Sequence, residues 1–400
     1  MAFIRPFRAL RPAPEVAPRV ASVPYDVVNT EEARALARGN PLSFLHVTRS
    51  EIDLPPDTDP YSREVYAQAA RNLEELKRAA PLLLEPEPAF YFYRLRMGRH
   101  EQTGLAAAYS VDEYDKDLIK KHERTRRDKE DDRTRHITVT RAQTGVVFLT
   151  YRASPDVQAV ERRVTAGPPL YNFTADDGIS HTIWKVTGKD AEALVAAFAE
   201  LPSLYIADGH HRAASAARVR NEINGADTFL AVAFPDDQTQ ILPYNRVVKD
   251  LAGEAAGSFL EKVKGVLPVA DGRPVPSRAG LVEMYLAGTW YEIDLGPAKA
   301  GHHDDHASTL DVSLLQQHVV GPLLKIADVR TDKRIDFVGG ARGTAALEAL
   351  VNTGRAAVAF SLYPVTVNDL IAIADSGGIM PPKSTWFEPK LRDGLIVNLI

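Results

Sequence analysis

The segment Ala207–Arg212, with the sequence ADGHHR, places acid/base groups beside anion-binding groups at consecutive positions. It follows the apolar stretch Leu204–Ala207 and precedes the alanine-rich stretch Ala213–Asn224, so the pattern predicts a strand that runs directly into a helix. The first turn of a helix has unpaired backbone N–H groups and a positive dipole end, and both favour an anion. We therefore predict an anion site at this junction. The alternative is an ordinary helix start with solvated polar side chains.

Each polar residue of this segment has its own predicted role. Gly209 lets the backbone turn sharply and lets a ligand approach closely. Arg212 can hold a phosphate or a carboxylate through two hydrogen bonds. His210 and His211 are acid/base candidates near neutral pH. Asp208 could orient a histidine or bind a cation, which makes it a candidate catalytic residue and a candidate Mg²⁺ ligand.

A second candidate region is the charge-dense run Lys116–His136. Between Lys120 and Arg135 it has eight Lys/Arg against five Asp/Glu. One interpretation is a solvated helix face stabilised by pairs of opposite charge. The other is a segment that closes over a phosphate, with Glu123 as a base or metal ligand. In that case the phosphate contacts would come from Lys121, His122, Arg124 and Arg133.

Two further segments could contribute to a site. The tail Met380–Leu391 contains Lys383, which could contact an anion, although a docked C-terminal strand with an aromatic anchor fits the pattern equally well. The run His302–His306 contains possible ligands for a divalent metal and would suit a metal-dependent phosphatase or hydrolase. Its position in a predicted connection favours a solvated loop.

Composition excludes several classes of function. The chain has no cysteine, which excludes disulfides, thiolate zinc sites and a cysteine nucleophile. The formal net charge is -5, so nucleic-acid binding through an overall basic field is not expected. No GxxxxGK[ST], HExxH or GxSxG motif is present. There is no apolar run of membrane-spanning length and no signal-peptide pattern, so we expect no membrane association and a cytoplasmic protein.

Periodicity predicts a mixed α/β chain of the α+β kind. The elements that bear on the site are a helix with Thr30 as its N-cap, a buried strand Leu42–Val47, a long amphipathic helix Asp59–Ala80, and a strand pair Phe90–Arg96 and Gly104–Ser110. We predict a phosphate-binding domain over residues 1–240, with a charged insertion near 116–136. A second α+β domain over 241–400 would follow, with a tail that could return to the site.

Several long motifs, in order, resemble the family called domain of unknown function 1015. They are PYDVV (Pro24–Val28), NPLSFLHV (Asn40–Val47), KHERT (Lys121–Thr125), KEDDR (Lys129–Arg133), ADGHHR, LDVSLLQ (Leu310–Gln316) and MPPKSTWFEPKL (Met380–Leu391). The DGHHR element also resembles the phosphate-binding turn of the ParB/sulfiredoxin superfamily and is similar to that of a free serine kinase within it.

The resemblance implies a ParB/sulfiredoxin-like mixed-sheet domain that binds nucleotide phosphates through Asp208–Arg212. It implies a nucleotide-dependent phosphotransferase that uses ADP or ATP, with Mg²⁺ as a possible cofactor, on a small hydroxy metabolite. Sulfinic-acid repair is excluded because the chain has no cysteine. A non-catalytic nucleotide sensor or a DNA-associated ParB-like regulator remains an alternative. The oligomeric state and the substrate do not follow from the sequence.

Overall fold

The chain, described by a computed structural model over residues 3–299 and 306–400, divides into two structural units. Unit 1 comprises Met1–Thr239 together with Pro389–Ile400, and unit 2 comprises Gln240–Glu388. The last residues of the chain therefore belong to the unit that contains ADGHHR. The mixed α+β class predicted from periodicity is confirmed, since both units combine helices with β-sheets. The assignment of residues 1–240 to a phosphate-binding domain and of residues 241–400 to a second domain stays a prediction.

The strands are short except in the main sheet of unit 1. In chain order they are β1 (Ile4–Arg5), β2 (Ala9–Arg11), β3 (Leu83–Leu84), β4 (Phe90–Met97), β5 (His100–Ser110), β6 (Ile119–Lys120), β7 (Ala142–Gln143), β8 (Val147–Tyr151), β9 (Tyr171–Thr174), β10 (Ser180–Val186), β11 (Leu204–Asp208), β12 (Thr228–Pro235), β13 (Ile241–Leu242), β14 (Tyr244–Val248), β15 (Val269–Asp271), β16 (Leu281–Leu286), β17 (Thr289–Asp294), β18 (Ile335–Gly339), β19 (Val358–Leu362), β20 (Trp386–Phe387) and β21 (Val397–Leu399).

The α-helices range from single turns to a helix of 17 residues. In chain order they are α1 (Ala17–Val20), α2 (Thr30–Ala37), α3 (Leu45–Thr48), α4 (Arg63–Ala79), α5 (Val111–Asp115), α6 (Arg127–Thr140), α7 (Pro155–Thr165), α8 (Gly188–Ala199), α9 (His210–Val219), α10 (Ala256–Lys264), α11 (Gly296–Lys299), α12 (Asp311–Leu315), α13 (Ala345–Asn352) and α14 (Val367–Asp375). No helix of the described ranges is both long and apolar enough to cross a membrane.

The main sheet of unit 1 is mixed, in the order β6-β11-β8-β12-β5-β4-β10-β9, with β1 paired to β5. The pairs β6–β11 and β8–β12 are parallel, and the other pairs are antiparallel. The predicted hairpin is confirmed, because β4 and β5 pair through a tight turn at Gly98. A small antiparallel sheet, β3-β2-β21-β7, ties the C-terminal strand into this unit.

Helix α6, which contains residues 127–136 of the charged run, packs between α4 and α9. The small residues of α9, such as Ala213 and Ser215, are buried and allow the close approach of α6. The hydroxyl of Ser215 donates to the carbonyl of Glu130 at 3.2 Å. The second half of the charged run is therefore a packed helix whose inner face includes the buried Asp132 and His136, rather than a fully solvated one.

Two local predictions are wrong. Leu42–Val47 is not a strand, since the helical turn α3 begins at Leu45 and the preceding residues are turn and irregular structure. Short apolar runs do not distinguish a strand from a buried helical turn, and here Phe44 and Val47 are both buried in a turn-rich segment. Thr30 is the first residue of α2, not its N-cap. Asn29 is the N-cap and forms a capping box with Glu32.

Unit 2 is built on a six-stranded antiparallel sheet in the order β15-β17-β16-β19-β14-β18. A two-stranded pair of β13 and β20 accompanies it within the described residues. Buried apolar residues from β14, β16 and β19 pack against α13 to form a core. This unit contains Lys383, the predicted anion contact of the tail.

Candidate functional site

The ADGHHR segment forms a strand–helix junction, as predicted. Strand β11 ends at Asp208, Gly209 is the N-cap with φ +96°, and α9 begins at His210. A side chain at Gly209 would be strained twice, since it would require a left-handed backbone and would place its Cβ 3.2 Å from the guanidinium carbon of Arg212. The N-cap Gly209 makes no side-chain hydrogen bond to α9, so the first turn of this helix lacks the capping side chain that would otherwise satisfy one of its N–H groups.

A shift in strand register places Asp208 in a cluster of charges. The pairing of β11 with β8 is irregular between Ile206 and Asp208, which redirects the side chains at the end of the strand. The Asp208 carboxylate accepts a hydrogen bond from the Lys390 ammonium at 3.0 Å, and Arg212 lies 3.8 Å away. Burial alone would raise the pKa of Asp208, but Lys390 and Arg212 hold it well below its usual range. Asp208 is therefore ionised and pairs with two cations, Lys390 and Arg212.

Arg212 points into unit 1, where it is 6% exposed. Its guanidinium donates to the Asp26 carboxylate at 2.9 Å and to the carbonyl of Val146. Gly145 makes room for the arginine, since a Cβ there would lie 3.1 Å from Cδ of Arg212. In this conformation Arg212 connects the junction to Asp26 and Val146, and its positive charge lies near the start of α9.

Asp393 adds a buried carboxyl group to the same cluster. It is 1% exposed, and its Oδ1 accepts from the N–H of Val146 at 3.3 Å, while Oδ2 has no partner among residues 3–299 and 306–400. Burial raises the pKa of Asp393 to about 7, a rise that Asp26 reinforces and the charge of Arg212 opposes. This carboxyl group therefore titrates near neutral pH.

His210 and His211 accept hydrogen bonds from the backbone of the KHERT motif and of Arg126, which follows it. The rings of His122 and His210 are perpendicular with centroids 4.5 Å apart, and the N–H of His122 donates to Nε2 of His210 at 3.4 Å. The N–H of Arg126 donates to Nε2 of His211 at 3.0 Å. Parallel pairing of β6 with β11 brings the two segments side by side. His210 and His211 thus act as hydrogen-bond acceptors in this structure, which requires their neutral forms.

Burial disfavours the protonated form of all three histidines. The pKa of His122 is lowered to about 4 by burial, although the backbone of Ile206 and the charge of Asp208 favour protonation. The pKa of His210 is lowered well below its usual value by burial and by its neighbour His122, and that of the half-buried His211 is lowered chiefly by burial. Neither ring nitrogen of His122 makes a hydrogen bond of normal geometry within the described part of the chain.

Arg133 joins the cluster from helix α6. Its guanidinium carbon lies 4.2 Å from the ring centroid of Tyr25, and its Nε donates to Asp132 at 2.8 Å. Tyr25, Arg133 and Arg212 line a cavity of about 20 Å³, which is room for one water molecule. Arg133 and Arg212, two predicted site residues that are 79 positions apart in sequence, therefore both lie around Tyr25.

Other predicted site residues lie elsewhere. The Lys121 ammonium donates to the carbonyl of Tyr114 at 2.9 Å and lies over the ring of that tyrosine. Glu123 and Arg124 are exposed. Lys383 belongs to unit 2, with its ammonium 5.6 Å from the ring centroid of Tyr244. The phosphate contacts predicted for these side chains stay predictions.

The predicted Mg²⁺ ligands are Asp208 and Glu123. Over the described residues, no group of three or more His, Cys, Asp or Glu side chains is arranged to hold a metal ion. The Asp208 carboxylate already binds Lys390. Ligation of Mg²⁺ by Asp208 and Glu123 therefore stays a prediction. In the predicted histidine loop, His302 and His303 lie outside the described residues, while Nε2 of His306 lies 2.8 Å from the Asp369 carboxylate.

Three residues of the site were not predicted from the sequence. Asp26, Lys390 and Asp393 all contact or neighbour the junction, yet each is more than 180 positions away from Asp208 or Arg212 along the chain. Asp26 lies in the PYDVV motif and Lys390 in the MPPKSTWFEPKL motif. For these two residues the position inside a long family motif was the only sequence signal, whereas Asp393 lies outside the motifs, and the tail was predicted to contribute Lys383 instead.

Comparison with known protein families shows to which family the chain belongs. The family model described as "Protein of unknown function (DUF1015)" matches residues 4–313. The chain belongs to the DUF1015 family. This confirms the resemblance expected from the sequence motifs. No curated protein matches the chain in sequence.

Solved structures similar to this DUF1015 protein are distant in sequence. SbnI with a C-terminal truncation, from Staphylococcus aureus, is 14% identical with a TM-score of 0.42, and the match covers 74% of this chain and 87% of that one. Free serine kinase in complex with AMP is 14% identical with a TM-score of 0.38, covering 74% and 92%. A conserved hypothetical protein from Pyrococcus furiosus is 16% identical with a TM-score of 0.37, covering 74% and 95%.

Proposed function

We propose that this DUF1015 protein binds the phosphate groups of ADP or ATP at the Asp208–Arg212 junction and transfers a phosphoryl group to a small hydroxy metabolite. The observation that carries the proposal is the uncapped start of α9, reached through Gly209 at φ +96° with Arg212 and Lys390 in the adjoining charge cluster. Backbone N–H groups and a helix dipole favour an anion, and Arg212 and Lys390 would contact it by giving up part of their pairing with Asp26 and Asp208.

The reaction needs charge neutralisation and in-line positioning more than covalent help from the protein. The first-turn N–H groups of α9 would bind phosphate oxygens, while Arg212 and Lys390 would offset negative charge. The acceptor hydroxyl would pass its proton to Nε2 of His211, once that atom has released the N–H of Arg126, as its oxygen bonds to the terminal phosphorus. The bond from that phosphorus to the bridging oxygen would break, which releases AMP from ADP or ADP from ATP. His211 is the acid/base candidate with the greatest exposure of the junction histidines. Mg²⁺ bound with the nucleotide would supply further charge neutralisation.

Turnover is the direct test. The purified protein would be incubated with ADP or ATP, with and without Mg²⁺, across a panel of small hydroxy metabolites that includes free serine. We expect transfer to at least one acceptor, with a large loss of rate in His211→Ala. Ser215→Ala, which removes the hydroxyl that donates to the carbonyl of His211, is a matched control on the same helix. Absence of nucleotide turnover with every acceptor would overturn the transferase assignment.

One observation favours a second candidate, a nucleotide sensor without turnover. The Nε2 atoms of His210 and His211 both accept backbone N–H groups, so neither is available as a base in this conformation. A sensor would bind ADP or ATP with no transfer to any acceptor, and its nucleotide would change the protection of the 121–126 backbone from hydrogen exchange. DNA association would additionally give salt-dependent retention on DNA, which the net charge of -5 disfavours.

A further inference from the structure

A second cavity, with a volume of about 200 Å³, lies in unit 1 on the other side of Tyr25 and Arg133. It is enclosed by the 3₁₀ turns at Tyr25–Val27 and Ser50–Asp53 and by helices α4 and α6. Tyr25, Arg133 and His136 line both this cavity and the small one beside Arg212. One layer of side chains therefore separates the larger cavity from the charge cluster at the junction.

The lining is polar and has a surplus of positive charge. Its cations are Arg49, Lys129 and Arg133, and its carboxylates are Glu51 and Asp132, so three positive charges face two negative charges and the formal net charge is +1. His136 adds no charge near neutral pH, because burial lowers its pKa to about 4. Hydroxyl groups complete the wall. They belong to Thr30, Thr48, Ser50, Tyr61 and Tyr66.

The three cations differ in how many hydrogen bonds and ion pairs they make with other protein groups. Arg49 lies 3.1 Å from the Glu51 carboxylate and donates to the hydroxyl of Thr30 at 3.1 Å. The Lys129 ammonium donates to the hydroxyl of Tyr61 at 2.7 Å. Within the described ranges, the two terminal nitrogens of Arg133 make no hydrogen bond, since only its Nε is paired. Arg133 therefore presents unused donors to the cavity region, with Arg49 and Lys129 as supporting charges.

The size of the cavity limits the ligand. At ~30 Å³ of liquid volume for each water-sized group, 200 Å³ holds roughly seven such groups. That is below the roughly 300–1,000 Å³ of pockets for drug-sized ligands. A whole nucleotide does not fit, whereas a three- or four-carbon acid with hydroxyl groups does.

We propose that this cavity binds a small hydroxylated metabolite with one anionic group, held by Arg133, Arg49 and Lys129, with its hydroxyl groups directed to Glu51, Asp132 and the Tyr66 hydroxyl. The anionic group is a carboxylate or a phosphate monoester, which share the two-pronged chemistry that guanidinium groups recognise. That this metabolite is the phosphoryl acceptor rests on the proposed function. Binding of the metabolite alone does not depend on it.

Three related compounds show which chemical group the cavity binds. Isothermal titration with glycerate, glycerol 3-phosphate and glycerol, in the absence of nucleotide, compares a carboxylate, a phosphate monoester and an uncharged compound on the same carbon frame. We expect saturable binding of glycerate or glycerol 3-phosphate and none of glycerol. If neither anion binds, or if glycerol binds as well as the anions, the proposal is overturned.

Substitutions of residues that line the cavity test whether the anion binds there. Arg49→Gln keeps a donor for Thr30 but removes the charge, and Lys129→Met removes the ammonium at the more exposed side of the cavity. Each should weaken binding of the anion by ~10–100-fold, the loss that accompanies one charged hydrogen bond. Arg71→Gln and Lys77→Met on α4, which do not line the cavity, are the matched controls and should bind as the wild type does. Equal affinity in all four variants would place the ligand elsewhere.

A separate titration with ADP and ATP keeps the two proposals apart. Anion binding that is lost in Lys129→Met supports the cavity even if no nucleotide binds. Nucleotide binding with no response to the small anions supports only the junction. Lys129→Met also covers the case in which Arg49→Gln fails to fold because Glu51 loses its cation.

Discussion

Replacement of Asp393 by Asn should stabilise the protein at pH 8 and flatten the dependence of its stability on pH. The carboxyl group is 1% exposed, its Oδ2 lacks a hydrogen-bond partner in the described chain, and burial raises its pKa to about 7. An aspartate in the unfolded chain has a pKa of ~3.9. The folded state therefore binds the proton more tightly than the unfolded state between these two pH values.

The sign and size follow from proton linkage. From about pH 4 to pH 7 the folded state holds more protons, so the free energy of unfolding falls as the pH rises through this window. With a pKa difference of ~3 and ~1.4 kcal/mol for each unit, the charged carboxylate costs on the order of 4 kcal/mol at pH 8. The same relation gives ~1.5 kcal/mol at pH 5. The Asn variant should thus gain roughly 2–3 kcal/mol relative to wild type between pH 5 and pH 8.

Urea unfolding from pH 5 to pH 8 measures this directly. The free energies of unfolding of wild type and Asp393→Asn should diverge as the pH rises. Asp57→Asn is the control, because Asp57 is exposed and makes no hydrogen bond to the described residues. Parallel profiles for Asp393→Asn and wild type, within about 0.5 kcal/mol, would refute the account of a buried carboxyl group that is neutral below pH 7.

Three further outcomes are expected from the geometry. In His211→Ala, the amide of Arg126 loses its acceptor and should exchange with solvent ~10-fold faster by hydrogen-exchange mass spectrometry, whereas the hairpin amides should not change. Because burial lowers the pKa of His122 to about 4, its neutral form contributes stability that is complete above pH 6.5 and is lost as the pH falls toward 4. His122→Phe should therefore lose less stability than wild type between pH 6.5 and pH 5 in thermal unfolding, and an equal loss would contradict this. Gly104→Ala should destabilise the protein by roughly 1–3 kcal/mol in chemical unfolding, since the added methyl would lie 2.7 Å from strand β12, more than the change at the open turn of Gly98→Ala.

Local patterns were sufficient to predict the elements around the junction. The apolar stretch before Asp208 and the alanine-rich stretch after it indicate β11 and α9, and Gly209 stands where a left-handed residue is required. The hairpin of β4 and β5 follows from two neighbouring apolar runs and the glycine at the turn between them. These features depend on neighbours in sequence. The error at Leu42–Val47 has the same origin, since six residues are too few to reveal a period.

The tertiary composition of the site could not be predicted from local pattern. His122 and His210 are 88 positions apart and meet because β6 pairs with β11, which periodicity does not reveal. Lys390 reaches Asp208 only because the last twelve residues return to unit 1. A chain-end lysine beside prolines carries no local sign of such a contact. The prediction that the tail contributes an anion-site residue therefore selected Lys383, whereas the cation beside Asp208 is Lys390.

The central claim is that the start of α9 binds nucleotide phosphates, and isothermal titration of ADP and ATP into three proteins tests it most directly. Gly209→Ala adds a methyl beside the guanidinium of Arg212 at the anion site, whereas Gly225→Ala adds one at a glycine with φ +87° and nothing within 4 Å. Both carry the cost of a left-handed backbone, only Gly209→Ala adds the contact with Arg212, and thermal unfolding of the two variants checks that both are folded at the titration temperature. We predict binding to wild type and Gly225→Ala, with affinity at least ~10-fold weaker in Gly209→Ala. Equal affinity in all three proteins, or no binding to wild type, would contradict the claim.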